Sequence, residues 1–249
     1  MSPTTNTARA EDVAMKPVPT ALGRIALDRP LPSRLPSVHI ACWRGAAAAR
    51  FPDDPLFHGH ASGPDEGLRH RHPLVHYRWG EGGPVLYALG EATAKVLLHP
   101  WAGATLRFGQ ETRTVTSVDW RTGVAELKLA DRLRRYRFGA PWIALNQENH
   151  ARWEKLDADG RRALLDRGVV NHLLGVFEDL GWWLPPSWRV LGAFELVSSV
   201  TVQFKGQPML GFFGDFVCNL DLPDHFALGK ATSHGHGWFT RVGESLPRP

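Results

Sequence analysis

A long amphipathic segment in the second half of this chain constrains the fold more than any other feature. Between residues 159 and 180 the apolar side chains recur every three to four positions, at Leu165, Val169, Leu173, Val176 and Leu180. This spacing places them along one face of a helix. Gly181 and the Pro185-Pro186 pair follow, and both are typical of a helix end. The segment therefore predicts a helix that packs one face against a core.

Segments typical of β-strands lie on both sides of this helix. After it, residues 189–204 and 209–220 flank Gly206-Gln207-Pro208, which predicts a hairpin. Before it, strands are predicted at residues 38–43, 74–78, 84–89, 104–108, 113–119, 124–129 and 133–138, with a turn at 121–123 and a short helix at 91–98. Helices and antiparallel strands in this order favour an α+β fold class with two ferredoxin-like sandwiches in tandem.

Three regions are predicted along the chain. Prolines interrupt the first of them at positions 3, 17, 19, 30, 32 and 36, so residues 1–36 are expected to form a flexible leader. The run of predicted strands ends near Pro141, which divides the remainder into domains of residues 37–140 and 141–249.

Composition excludes several classes of protein. The 249 residues are 43% hydrophobic and 22% charged, which is typical of a globular chain rather than a disordered or fibrous one. No apolar run is long enough to span a membrane and no signal pattern is visible, so we expect a cytoplasmic protein without membrane contact. Cys42 and Cys218 stand far apart, which argues against a disulfide framework or a cysteine zinc site.

The net charge of +4 is unevenly distributed, because basic residues outnumber acidic ones only before residue 141. Arginines interleaved with aromatic residues suit phosphates and unstacked bases, although a solvated sheet face with an ordinary charge mix accounts for them equally well. Arg135 and Arg137 alternate along a predicted strand and so share one face. The sequence leaves RNA contact and simple solvent exposure open for this pair.

The most informative stretch is a glycine segment, residues 222–239. Gly229, Gly235 and Gly237 occur in it together with Lys230 and Ser233. Glycine lets the backbone approach a phosphate closely, and lysine adds a point charge. Because no Ser or Thr follows the lysine directly, the segment is a poor match to a Walker-type nucleotide loop.

Several signatures in fixed order carry a resemblance to a known family. They are residues 141–149 (Pro-Trp-Ile-Ala-Leu-Asn-Gln-Glu-Asn), 209–212 (Met-Leu-Gly-Phe) with Gly214 and Phe216, 73–77 (Pro-Leu-Val-His-Tyr), and the glycine segment. The chain resembles the CRISPR-associated endoribonucleases that cut repeat RNA in precursor transcripts, the sixth Cas family within the RAMP superfamily. The likeness spans roughly residues 38 to 241, and His236 departs from it where the family more often has an aromatic residue.

The resemblance implies a fold, a ligand and a reaction. The family has two RNA-recognition-type, ferredoxin-like domains, and its glycine loop contacts RNA. It therefore implies that CRISPR repeat RNA is the partner, together with other Cas proteins of an effector complex. It also implies cleavage without metal or cofactor. The residues expected to bind RNA are Gly229, Lys230, Ser233, Gly235, Gly237, Arg135 and Arg137.

Candidate catalytic residues lie in the long connection of the first half. RNA cleavage by the 2′-hydroxyl needs a base, a proton donor for the leaving 5′ oxygen and a cation for the phosphorane, and histidine and arginine suit these roles. The family places catalytic histidines in a similar His-x-His setting, so His58 and His60 are candidates by resemblance. Arg50 and His70 are candidates by neighbourhood only.

The sequence leaves three alternatives open. His-x-His also occurs in metal sites, so a metal hydrolase is one of them. Exposed loop histidines without a role are another. The third is a binding subunit of the same superfamily that holds guide RNA in an effector complex without cutting it.

Overall fold

The computed structural model describes residues 17–32, 36–58, 72–126, 128–182, 184 and 188–243. These residues form two antiparallel sheets with helices packed on them. The predicted α+β fold class with tandem ferredoxin-like domains is confirmed by the strand order of both sheets.

The first domain has a five-stranded sheet and three helices. Its elements are β1 (Val18–Leu27), α1 (Pro36–Arg50), α2 (Pro55–His58), β2 (Val75–Gly80), β3 (Gly83–Leu89), α3 (Glu91–Leu98), β4 (Thr105–Phe108) and β5 (Glu111–Ala125). The strand order is β2-β3-β1-β5-β4, and β1 is antiparallel to both of its neighbours. Strands β1, β2, β3 and β5 with helices α1 and α3 thus have the ferredoxin-like connectivity.

The second domain repeats this connectivity with one substitution. Its elements are β6 (Lys128–Phe138), α4 (Gln147–Lys155), α5 (Ala158–Asp179), β7 (Gly192–Phe204), β8 (Gln207–Asp221), a 3-10 turn (Thr232–His234) and β9 (Phe239–Arg241). The strand order is β7-β8-β6-β9. The glycine segment therefore stands between β8 and β9, where a ferredoxin-like domain has its second helix.

The predicted amphipathic helix and hairpin of this domain are both present. Asp157 caps α5, because its carboxylate accepts a hydrogen bond from the Gly160 backbone N–H at 2.8 Å. The apolar positions of the helix are buried, and β7 pairs with β8 over nearly its whole length.

The prediction of a flexible leader over residues 1–36 is wrong for β1, while residues 1–16 lie outside the described part of the chain. This strand is the centre of the first sheet. Pro19 is exposed near the start of β1, where a missing N–H donor costs little. Gly23 leaves room for the Trp120 ring, since a Cβ there would lie 2.4 Å from it. The prolines lie at or beyond the ends of this strand, so they do not interrupt its pairing.

The predicted domain boundary near Pro141 is also wrong. Strand β6 pairs with β8 and β9, so residues 128–138 belong to the second domain. Tyr136 and Phe138 are buried there and pack on Phe216, with ring centroids 5.1 Å away in each case. The boundary falls after β5, and the predicted turn at 121–123 lies inside that strand.

The predicted strand at residues 38–43 is a helix. His39, Trp43, Ala46 and Ala47 are its buried residues, and their spacing is helical. Four consecutive alanines, the strongest helix formers, follow the apolar run at positions 46–49. A six-residue apolar run does not distinguish helix from strand, so the alanines decide.

Two hydrophobic cores hold the domains and join them. One lies between the helices and one face of the first sheet, around Trp43, Tyr77 and Phe108. The other fills the second domain and extends to Tyr87 and Leu89 on the opposite face of the first sheet. The two domains therefore pack through a shared core, and the glycine segment lies at this junction.

Candidate functional site

The glycine segment is fixed to the second domain by backbone hydrogen bonds. Leu228 donates to the carbonyl oxygen of Gly237 at 2.9 Å, which closes residues 229–237 into a turn. We call these residues the glycine turn. Lys230 donates to the Ile143 carbonyl at 3.0 Å, and Gly237 donates to that of Pro141 at 3.1 Å. The signature at 141–149 and the glycine segment are thus two parts of one structure.

The glycines of this turn allow close packing within the protein. Gly229 has φ +88°, and a Cβ there would lie 2.7 Å from the Trp142 ring and from the Ile143 carbonyl oxygen. Gly235 has φ +83°, and a Cβ there would lie 2.7 Å from Cδ1 of Ile40 and 3.0 Å from the Tyr77 carbonyl oxygen. The N–H groups of Gly235 and Gly237 donate to protein carbonyls, so these two groups serve packing within the protein.

The glycine turn rests on the first domain. Its 3-10 turn packs against α1 and β2, at Ile40 and Tyr77. The backbone carbonyl of Tyr77 faces the glycine turn, while its side-chain hydroxyl donates to the Phe57 carbonyl oxygen at 3.2 Å. Phe57 immediately precedes His58 in α2. One buried tyrosine therefore connects the glycine turn to the segment that carries the predicted histidines.

The predicted catalytic residues are only partly covered by the structure. His58 ends α2, and its side chain lies outside the described residues, as do His60 and His70. Arg50 is exposed at the end of α1 and lies near His99. Ten residues, or about 15 Å of helix, separate it from Ile40. Arg50 is thus near α2 but distant from the glycine turn.

A basic cluster that sequence analysis missed surrounds His234 in the glycine turn. Burial, followed by the charges of Arg44, His236 and Lys205, lowers the pKa of His234 to about 4. Lys205 lies at the tip of the β7–β8 hairpin, and Arg44 lies one helical turn beyond Ile40 on α1. Had residues 38–43 been predicted as a helix, Arg44 would have been placed on the same helix face as Ile40. No sequence pattern predicts that Lys205 lies near His234.

Lys230 contributes a further positive charge beside a buried histidine. Burial lowers the pKa of Lys230 itself. His172 of α5 has a pKa of about 4, because it is buried and because Lys230 is near. The Trp142 indole N–H donates to Nδ1 of His172 at 3.1 Å, so the imidazole is neutral with Nδ1 as the acceptor. Sequence analysis missed His172, whose position on an apolar helix face is typical of a core residue.

Arg135 and Arg137 occupy a different surface. They lie on the face of β6 opposite Tyr136, as their alternation predicted. Arg137 binds both carboxylate oxygens of Asp215, at 2.7 and 3.0 Å, and Arg135 contacts Glu195 at 2.8 Å and Asp215 at 3.2 Å. The Arg137 hydrogen bond is the largest cause that lowers the pKa of Asp215. RNA contact by this pair stays a prediction, and their charge is largely matched within the protein.

The described residues contain neither a metal cluster nor a membrane-spanning helix. Among them, no group of three or more His, Cys, Asp or Glu side chains is placed to hold a metal ion. Cys42 and Cys218 are not joined in a disulfide. No helix in this part of the chain is long and apolar enough to cross a membrane.

Comparisons with known proteins agree with this architecture. One solved structure, a Cas6b, has a TM-score of 0.74 and 22% identity, and the match covers 91% of this chain and 99% of that one. A CRISPR RNA processing endoribonuclease Cas6b has a TM-score of 0.68 and 22% identity, with coverage of 90% and 100%. These likenesses establish the fold.

Sequence comparison identifies both domains. An uncharacterized protein of Methanocaldococcus jannaschii is 33% identical over 119 residues, which are 48% of this chain and 80% of that protein. The family model of the Cas6b N-terminal domain matches residues 22–121, and that of the Cas6b C-terminal domain matches residues 128–242. The gap between the two matches coincides with the boundary after β5. Since the two models together cover most of the chain, this protein belongs to the Cas6b family.

Proposed function

We propose that this protein is an endoribonuclease that binds CRISPR repeat RNA and cuts precursor transcripts within the repeat. Membership of the Cas6b family supports the substrate class, and one similar structure is named a CRISPR RNA processing endoribonuclease. The resemblance of the glycine segment to an RNA-binding loop points to the same ligand.

One structural observation carries the proposal. Arg44 of the first domain and Lys205 of the hairpin both lie near His234 of the glycine turn, and Lys230 of the same turn lies near His172. Positive charge from three separate elements thus converges where the domains meet. A surface of this kind attracts the RNA backbone through its phosphates and adds little sequence preference.

The reaction we propose is transesterification within the RNA strand. A base, His58 or His60, takes the proton from a 2′-hydroxyl, and the 2′ oxygen forms a bond to the adjacent phosphorus. The bond from phosphorus to the 5′ oxygen breaks, and a second group donates a proton to that oxygen. A cation, for which Arg50 is the candidate, stabilises the charge on the phosphorane. The products are a 2′,3′-cyclic phosphate and a 5′-hydroxyl, and the scheme uses no cofactor.

The test is cleavage of the host's own repeat RNA by the purified protein. We expect a shortened product on a denaturing gel, also in EDTA, and none when a 2′-deoxynucleotide replaces the residue before the cut. His58→Ala combined with His60→Ala should abolish cleavage and leave binding nearly unchanged. The matched control is His150→Ala, a half-buried histidine of α4.

The outcomes separate the alternatives. RNA that is bound but never shortened would assign the protein to the non-cutting subunits. Activity that disappears with EDTA and returns with added metal would favour a metal hydrolase. Full activity in the double variant would place the catalytic groups elsewhere.

A further inference from the structure

A groove lies on the face of the first sheet opposite its helices, away from the contact between the glycine turn and α1. It has a volume of about 620 Å³, and its lining includes Arg24, Arg78, Ser117, Asp119, His225 and Trp238. This volume falls within the range of roughly 300–1,000 Å³ that is usual for ligand sites. His225 and Trp238 belong to the glycine segment, on either side of the glycine turn. We call this space the Arg78 groove.

Arg78 is a buried cation that no described carboxylate pairs with. Its side chain is 5% exposed, and its guanidinium lies 5.0 Å from the Trp238 ring and 5.2 Å from the Tyr87 ring. One terminal N–H group donates to the His225 carbonyl oxygen, while Nε has no hydrogen-bond partner among the described residues. Within the same residues, no carboxylate forms a salt bridge with Arg78.

Arg113 in the same domain shows how the protein compensates a comparable arginine. It is 4% exposed, yet it forms a salt bridge with Glu111 at 2.9 Å and contacts the Pro30 carbonyl oxygen. A buried guanidinium that lacks such a partner has lost its hydration without an equivalent gain. Burial accordingly lowers the pKa of Arg78 to about 9. This arrangement leaves an anion-binding position at the wall of a groove.

The rim of the groove adds positive charge. Arg24 is exposed and forms no salt bridge with a described residue, although Asp119 stands opposite it on β5. Burial, then Arg78, lowers the pKa of His225 to about 4, with smaller contributions from Arg24 and Arg121 and an opposing one from Asp224. Arg78, Arg24 and Arg121 therefore all place positive charge near His225, which is neutral at pH 7.

We propose that the Arg78 groove is a second RNA subsite, which binds a phosphate of a single-stranded segment through Arg78 and Arg24. The proposal rests on the proposed function, because it takes RNA as the ligand. Asp119 and Glu81 also line the groove. They repel a free anion but accept hydrogen bonds from base N–H groups, so they favour a nucleotide over inorganic phosphate.

The test is the binding of a fluorescent eight-nucleotide oligouridylate, measured by anisotropy over a range of salt concentrations. Arg24→Ala should weaken binding about fivefold near 0.1 M salt. It should also make the negative slope of log association constant against log salt concentration shallower by about 0.7. The matched control is Arg107→Ala on β4, an exposed arginine at the other edge of the same sheet. Identical affinities and slopes for the two variants would overturn the proposal.

Arg78→Met tests the buried residue itself. It keeps most of the side-chain bulk and removes an uncompensated charge, so we expect an unchanged or higher Tm together with a larger loss of RNA affinity than Arg24→Ala gives. A lower Tm with unchanged affinity would show that Arg78 only supports the fold. If the variant does not fold, a photo-crosslink from 4-thiouridine in the same oligonucleotide provides the test, since in the wild type it should map to His225 or Trp238, outside the glycine turn. Crosslinks that map only elsewhere would refute the subsite.

Competition and cleavage measurements distinguish an RNA subsite from a free-anion site and from a failure of the proposed reaction. Inorganic phosphate should displace the oligonucleotide only weakly. If phosphate displaces it at a lower concentration than unlabelled oligouridylate does, the groove is a site for a free anion. Binding of oligouridylate without cleavage of repeat RNA would overturn the proposed reaction alone. Failure of the wild type to bind oligouridylate would overturn the subsite.

Discussion

The glycine turn and the open face of β6 both collect basic side chains, but they differ in how these charges are matched. On β6, Arg135 and Arg137 are held by Asp215 and by Glu195 on β7. Around the glycine turn, Lys205 and Lys230 form no salt bridge with a described residue. The histidines beside them, His234 and His172 respectively, are neutral at pH 7. Since an internal ion pair cancels much of the external field, the glycine turn is the better surface for a polyanion. The β6 face is chiefly a network within the sheet.

The largest effect is expected from Gly235→Ala, which disturbs the contact between the glycine turn and the first domain. The new Cβ meets Ile40 and the Tyr77 carbonyl at a residue with φ +83°. The variant should lose about 1–3 kcal/mol of unfolding free energy. It should also lose more than tenfold in affinity for repeat RNA, because Arg44 of the first domain would no longer lie beside His234 of the glycine turn. Urea unfolding and anisotropy measure the two effects.

The matched control is Gly175→Ala in α5. Apart from its own helix backbone and chain neighbours, no heavy atom of a described residue lies within 4 Å of a Cβ at that position. Its backbone is helical, so stability should rise by about 0.5–1 kcal/mol. RNA affinity that stays at the wild-type value in Gly235→Ala would show that the docking of the turn is irrelevant to binding.

A second prediction concerns the pH dependence of stability near the glycine turn. The pKa of His172 is about 4 in the folded protein and about 6.5 in an unfolded chain. The unfolded state therefore binds more protons, so His172 should remove about 2 kcal/mol of stability as the pH falls from 7 to 5. His172→Gln, which still accepts a hydrogen bond from Trp142, should show a smaller loss over this range than His150→Gln. Equal losses in urea unfolding would contradict the prediction.

The fold was predictable where local pattern and tertiary packing agree. Helix α5 and the β7–β8 hairpin follow from side-chain spacing and turn residues, and they form as expected. Strand β1 was missed because the prolines at its ends favour a flexible segment. Helix α1 was missed because its short apolar run at residues 38–43 is also typical of a buried strand. Strand β6 was assigned to the wrong domain, since strand pairing is a long-range property that no local pattern contains.

The candidate site was predictable only in part, for a related reason. The glycine segment stands out because unusual backbone angles and close contacts require glycine at fixed positions. Arg44, His172 and Arg78 belong to three different elements, and each comes next to the glycine segment or to Trp142 only in the folded protein. Their roles depend on burial and on the absence or presence of a partner, and neither is visible in a single sequence.

A third prediction compares the two basic surfaces directly. Lys230→Ala should weaken binding of repeat RNA about fivefold near 0.1 M salt, because one phosphate contact is lost. For the same reason, the negative slope of log association constant against log salt concentration should become shallower by about 0.7. Arg137→Ala should change affinity by about twofold or less, since Asp215 already engages that guanidinium. A larger loss in Arg137→Ala than in Lys230→Ala would reverse the assignment of the two surfaces.

The smallest effect is expected from Asp215→Asn on the β6 face. Hydrogen bonds from Arg137 and Arg135 lower the pKa of Asp215 in the folded protein, so its contribution is present above the unfolded pKa of about 3.9 and is lost as the pH falls below it. The variant should therefore lose less than about 1 kcal/mol at pH 7, because both arginines are largely exposed. Its difference from the wild type should therefore shrink as the pH falls from 7 to 3. The matched control is Asp131→Asn, which alters an exposed carboxylate paired with Arg134 and should change stability little at pH 7. A difference at pH 3 as large as that at pH 7 would mean that Asp215 acts through packing, and the β6 face would then lose its description as a charge network.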